Sequence, residues 1–170
     1  MAQSQDNLDS HISGYVQEKP TLTYVQPSDP WLVQKFISSV EILFGRRKIE
    51  ALYDQLKEKP FNVESFFSTA LKTTGIETHY DANKLAALPK SGPLVFVANH
   101  PFGVVDGLAL CDMAIKARGN FRILINAMLC QDKDLAPYFL PIDFKETKSA
   151  IKNNIRTKKM ALECLKEDIP

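Results

Sequence analysis

The chain has 170 residues, 45% of them hydrophobic and 24% charged, enough to build one core of ordinary size, so one domain is the default. A formal net charge of +1 and a pI near 7.7 argue against nucleic acid as the main partner. Cys111, Cys130 and Cys164 lie far apart, without paired or metal-ligand spacing, and read as reduced thiols of a cytosolic protein. The N-terminus lacks an apolar signal-peptide core, and no uninterrupted apolar run reaches the roughly 18 residues that span a membrane.

In chain order, residues 1–27 are polar, interrupted by Pro20 and Pro27, and read as a flexible N-terminal arm. Residues 28–75 read as an N-terminal helical cap of three helices. Ser28-Asp29-Pro30 supplies a start signal, and Leu32, Val33, Phe36, Ile37, Val40, Leu43 and Phe44 follow at helical spacing up to Gly45. Trp31 at one end and Arg46-Arg47-Lys48 at the other suit a helix lying in a membrane interface, and the same stripe would equally serve to pack on the domain. A second helix, 48–58, places Ile49, Leu52, Tyr53 and Leu56 on one face. A third starts near Asn62, carries Val63, Phe66, Phe67, Ala70 and Leu71, and stops at Gly75.

Residues 76–170 read as the α/β part. Ile76 to Tyr80 alternates apolar and polar residues and predicts an edge-like strand, with His79 exposed on it. Residues 81–90 form a short helical turn leading to the continuous apolar run Leu94-Val95-Phe96-Val97, the pattern of a central strand buried on both faces. A helix over 107–117 and a strand over 121–125 follow. Together they predict a parallel pair joined by a right-handed crossover, with Asn126 near the same sheet edge as His100. A short helix over 127–131 and a proline-interrupted strand over 138–143 come next. The last helix, 147–167, carries Ile151, Ile155, Leu162 and Leu165 on one face and Lys148, Lys152, Arg156 and Lys159 on another; that basic stripe reads as a solvated face, or as a contact with an anionic surface. The fold class is therefore α/β, a mostly parallel sheet flanked by helices and preceded by a helical segment.

The stretch around which these elements are organised is PLVFVANHPFGVVDG, residues 93–107. It reads as strand, tight loop and helix, and in an open α/β sheet the loop leaving the carboxyl end of a strand is where ligands are handled. His100 and Asp106 stand at the two ends of that loop. Histidine is the side chain best suited to accept a proton near neutral pH, and a carboxylate on its far ring nitrogen fixes the tautomer and stabilises the imidazolium. Structural duties compete with that reading: Asp106 is placed to cap a helix, and His100 to cap a strand end. Pro101 and Gly103 fix an unusual backbone between the two, and Asn99 adds a polar group at the same strand end.

NHPFGVVDG resembles the first motif of the glycerolipid (lysophospholipid) acyltransferase superfamily, most closely its bacterial hemolysin-like branch. The commoner form has four residues between the histidine and the aspartate. Here five separate His100 from Asp106, with Pro-Phe-Gly inside and Asp-Gly at the end, as in that branch. The likeness extends from about Ile76 to Asp143, through LPKSGPLVFVANHPFG and FRILINAML.

The resemblance implies acyl transfer from acyl-CoA or acyl carrier protein to a lysophospholipid-like or other lipid hydroxyl. His100 is implied as the base and Asp106 as its orienter, with Asn99, Phe102, Gly103 and Asn126 around the substrate. No metal and no retained cofactor are expected, because the acyl thioester is a substrate. The expected setting is cytoplasmic, peripherally on the inner face of the membrane. A non-catalytic lipid-binding or membrane-docking module of the same fold is the alternative. In the resembled family a later strand carries a Phe-Pro-(Glu or Ala)-Gly motif that helps hold the acceptor's phosphate. These 170 residues carry none, so on sequence grounds residues 76–170 are the N-terminal part of the domain and weak or no transfer is expected of them alone.

Overall fold

The computed structural model describes residues 12–17, 23, 25, 29–43, 46–58, 60–99 and 101–170. Among them are six helices, α1 (Trp31–Leu43), α2 (Arg46–Lys57), α3 (Val63–Thr73), α4 (Ala82–Ala86), α5 (Val104–Arg118) and α6 (Lys148–Lys166), and two strands, β1 (Ile123–Asn126) and β2 (Phe139–Ile142). The chain is α/β, with a small parallel sheet and helices ahead of it.

Thr21–Phe61 forms one compact unit and holds α1 and α2. Within it the Gln34 amide donates to the Asp29 carbonyl at 2.8 Å and ties down the start of α1, where Pro30 supplies the expected start signal. Phe44 and Gly45, expected to end this helix, lie outside the described residues.

The third helix belongs with the other unit, which contains the α/β part, and not with α1 and α2 in a three-helix cap. Its boundaries follow from local chemistry. The Asn62 carboxamide oxygen accepts the Glu64 N–H at 2.8 Å at the start. At the end Gly75 takes φ +74°, while the Ile76 N–H returns to the Leu71 carbonyl at 2.9 Å and the Gly75 N–H to Lys72 at 3.0 Å. Phe66, Phe67, Ala70 and Leu71 form the buried face, packed on α5. From there a chain of aromatic contacts runs through the core: Phe66 on Phe67, Phe67 edge-on to Phe121 at 5.5 Å, and Phe121 stacked on Tyr138 at 5.4 Å.

β1 and β2 pair in parallel, Ile123 opposite Phe139 and Asn126 opposite Ile142. α6 is fastened to β2 by polar contacts as well as by packing. The buried Thr157 hydroxyl donates to the Pro141 carbonyl at 2.8 Å, a bond available because proline lies in a strand that has no second neighbour in the sheet among the described residues. Asn154 exchanges two hydrogen bonds with the Asp143 backbone, at 2.9 and 2.8 Å. Thr157→Val, nearly isosteric, is expected to lower stability by about 1–2 kcal/mol, read from a chemical unfolding curve, because the Pro141 carbonyl loses a buried partner.

Three expectations change. The segment expected to be a flexible arm holds a docked turn: Ile12 is fully buried against Ala136, Leu140 and Met160, and the Gln17 N–H donates to the Gln131 carbonyl at 3.0 Å. Ile76–Tyr80 pairs with no strand among the described residues, so it is not part of the sheet. Leu94–Val97 likewise lies outside the sheet, and β1 pairs with β2 instead. Leu94 and Phe96 are half-buried, whereas Val95 and Val97 are 64% and 86% exposed. A strand buried on both faces needs neighbours on both edges, and among the described residues the backbone of 94–97 makes no ladder hydrogen bond.

Candidate active site: the loop between residue 97 and helix α5

The segment 93–99 is anchored at its start. The Arg118 guanidinium, in the last turn of α5, donates to the carbonyls of Pro89 (2.9 Å), Gly92 (3.0 Å) and Asp168 (2.8 Å). The Gly92 N–H donates to the Asp168 carboxylate at 3.0 Å, and the Lys90 ammonium to the Ala117 carbonyl at 3.1 Å. The chain therefore enters beside the C-terminal end of α5 and returns through the loop to its N-terminal end. Arg118 is a positioning residue that sequence reasoning missed; a basic residue in a last helical turn usually marks only a helix end. Arg118→Met is expected to lower the melting temperature and to cost about 1–2 kcal/mol, since three carbonyls lose one forked donor.

At the other end of α5, Asp106 occupies the third helical position after the N-cap Gly103. Its Oδ2 accepts the Phe102 backbone N–H at 2.8 Å, reaching back four residues in the manner of a capping box. The aspartate thus holds the turn closed, a capping duty by a different bond from the one expected, with Gly103 and not Asp106 as the N-cap. Gly103 has φ +59° and ψ −117°, a conformation essentially confined to glycine. α5 consequently begins at Val104, three residues earlier than the spacing from Gly107 implies.

His100 lies outside the described residues. Of the other expected site residues, Phe102, Gly103 and Asp106 come together in one turn. Asn99 is exposed on the approach to it, and Phe102 is 76% exposed. Asn126 ends β1 and caps the following 3₁₀ turn, its carboxamide oxygen accepting the Met128 N–H at 3.0 Å. Among the described residues no hydrogen bond joins Asn126 to the loop.

No thiol is poised as a nucleophile. Burial pushes Cys111 and Cys130 up to about 12, and burial also raises Cys164. Iodoacetamide at neutral pH is expected to leave Cys111 and Cys130 of the folded chain unalkylated in a peptide mass map. The buried carboxylate of Asp112 has a structural role as well: Lys116 pairs with it at 2.6 Å while lying over the Tyr80 ring. Among the described residues no cluster of His, Cys, Asp and Glu could hold a metal ion, and no helix is long and apolar enough to cross a membrane.

The sequence profile of the family described as "Acyltransferase" matches residues 44–163, a span that includes the loop and α5. The chain is also similar to the lyso-glycine lipid O-acyltransferase of Phocaeicola vulgatus, 38% identical over 69 residues that make up 40% of this chain and 25% of that protein. The match thus spans about a quarter of that relative's length. No solved structure matches. Because the family's profile matches most of this chain and spans the Asp106 turn, the chain belongs to the acyltransferase family.

Proposed function

We propose that the protein transfers a fatty acyl group from an acyl thioester, of coenzyme A or acyl carrier protein, to the hydroxyl of a lysophospholipid-like or other lipid acceptor. His100 takes the acceptor's hydroxyl proton as the oxygen attacks the thioester carbonyl. The tetrahedral intermediate collapses to the ester and expels the thiolate, which leaves as free thiol after taking up a proton. Asp106 orients and charges the imidazole. The observation that carries this reading is the 2.8 Å bond from the Phe102 N–H to Asp106 Oδ2, which fixes a carboxylate on the turn directly after His100 and Pro101. The high thiol values favour direct transfer over a cysteinyl intermediate. The name of the Phocaeicola vulgatus relative supports O-acylation of a lyso-lipid. A role in phospholipid synthesis and kinship with the hemolysin-like branch rest on the motif alone.

The test is release of free thiol from an acyl thioester, dependent on a lysophospholipid, with the acylated product identified by mass. Thiol release without the acceptor would indicate a thioesterase. A second reading, a lipid-docking module without turnover, is favoured by α1, where Trp31, Leu32 and Phe36 are 62–70% exposed. That the protein works at the inner face of the membrane is part of this proposal and rests on the resemblance. Phe36→Asp is expected to weaken vesicle binding several-fold while shifting stability by no more than about 0.5 kcal/mol, because the side chain leaves no buried site. Paired sedimentation and melting measurements read both quantities.

A further inference from the structure

The outward face of α6 carries an apolar stripe that the fold does not use. The helix packs through Ala150, Thr157 and Met160, all buried, with Asn154 and Ala161 beside them. Ile151, Ile155 and Leu162 are 50–58% exposed. At 3.6 residues per turn these three fall within roughly 40° of one another and look away from the packed face. Of the four aliphatic residues that the sequence places on one face, these three are exposed and Leu165 is half-buried. Basic residues flank it: Lys158 on one side and Lys148, Lys152, Lys159 and Lys166 on the other, all exposed. α6 holds six of the chain's 21 basic residues and one of its 20 acidic ones, so outside it acids outnumber bases. A near-neutral protein thus carries its net positive excess along one surface helix, around three aliphatic side chains.

We infer that this face of α6 lies on the surface of an anionic membrane, Ile151, Ile155 and Leu162 entering the headgroup boundary and the flanking lysines reaching lipid phosphates. Long lysine stems extend along apolar surface while the ammonium stays at the polar level, so the arrangement satisfies both parts of the face at once. A 19-residue helix is about 28 Å long and offers a straight contact line. The charge imbalance decides for an anionic over a neutral surface. The inference rests on the proposed lipid substrate, for which it supplies the surface where the acceptor resides.

The experiment uses the 170-residue chain with Trp31→Ser and Phe36→Ser already in place, so that α1 adds little to the reading. Partitioning onto mixed phosphatidylcholine–phosphatidylglycerol vesicles and onto pure phosphatidylcholine vesicles is measured across a salt series. Binding is expected to need phosphatidylglycerol and to fall with salt. Ile151→Ser/Ile155→Ser/Leu162→Ser, and separately Lys152→Glu/Lys159→Glu, are expected each to weaken it at least tenfold with the melting temperature unchanged. Unchanged partitioning of either variant overturns the inference, as does equal binding to both vesicle types. A dimer that the triple serine variant converts to monomer assigns the face to a second copy and overturns it too. Thiol release with a short-chain acceptor below its micellar concentration, run on the same proteins, keeps the two readings apart. Loss of vesicle binding with transfer intact removes only the membrane face, and vesicle binding without transfer leaves the membrane face standing.

Discussion

His100→Ala is expected to abolish most acyl transfer, by about 10²–10⁴-fold, the contribution of a positioned general base, while leaving thermal unfolding unchanged. The informative comparison is with two substitutions at Asp106, because the proposal gives this carboxylate a second duty beside the observed one of closing the turn. One oxygen, Oδ2, accepts the Phe102 N–H and closes the turn. The other, Oδ1, accepts no hydrogen bond among the described residues, and it is the atom to which the proposal assigns the imidazole. Asp106→Asn retains an oxygen that can accept the Phe102 N–H but removes the charge. It is expected to fold as the wild type and to lose activity nearly as far as His100→Ala, with the pH profile of kcat/KM altered, since the imidazolium loses its counter-charge. Asp106→Ala removes both duties and should lower the melting temperature as well. Wild-type turnover by Asp106→Asn beside an inactive Asp106→Ala would reduce the aspartate to a staple of the turn and leave His100 without its orienter. Wild-type turnover by a folded His100→Ala chain would remove the mechanism altogether.

Where an element depends on its own residues, the sequence was sufficient. Asn62 and Gly75 bracket α3, Thr147 and the following periodicity set α6, and Asn126 ends β1 just after the expected run. What depends on distant neighbours was not legible. Leu94–Val97 has the composition of a central strand, yet a strand is defined by its ladder, and ladder partners cannot be read from the run itself. In α6 the periodicity shows an aliphatic face and a basic face, yet the helix packs through neither of them but through Ala150, Thr157 and Met160, where Ala150 is small enough for close approach to the core and the Pro141 carbonyl of β2 accepts the Thr157 hydroxyl. Ile12 is one apolar residue in a polar stretch, a pattern with no period, and only its pocket between Leu140 and Met160 reveals it. At the candidate site the motif identified the residues of the turn. The bond that holds them together was foreshadowed only by a carboxylate in the first turn of a helix, a spacing shared by many ordinary capped helices.

The two glycines of the motif are expected to respond in opposite directions, which tests the turn without touching a titrating group. Among the described residues, chain neighbours and the helix's own backbone apart, neither Gly103 nor Gly107 has an atom within 4 Å of where a Cβ would stand, so crowding does not distinguish them. Backbone conformation does. Gly107 lies inside α5, where its N–H reaches the Gly103 carbonyl at 3.2 Å. Alanine there removes unfolded-state freedom and favours the helix, so Gly107→Ala should stabilise the chain by about 0.4–1 kcal/mol. At Gly103, φ +59° with ψ −117° places an L side chain in a region costing on the order of 1–3 kcal/mol. The chain can relieve that strain only by reshaping the turn between Phe102 and Asp106. Because a displacement of about 1 Å in a reacting group can cost 10²-fold in rate, Gly103→Ala should lose most transfer activity even where it remains folded. Thermal melts and thiol-release rates on the two variants measure both effects. Equal behaviour of the two alanines, in either direction, would show that the turn at Gly103 does not set the geometry of the site.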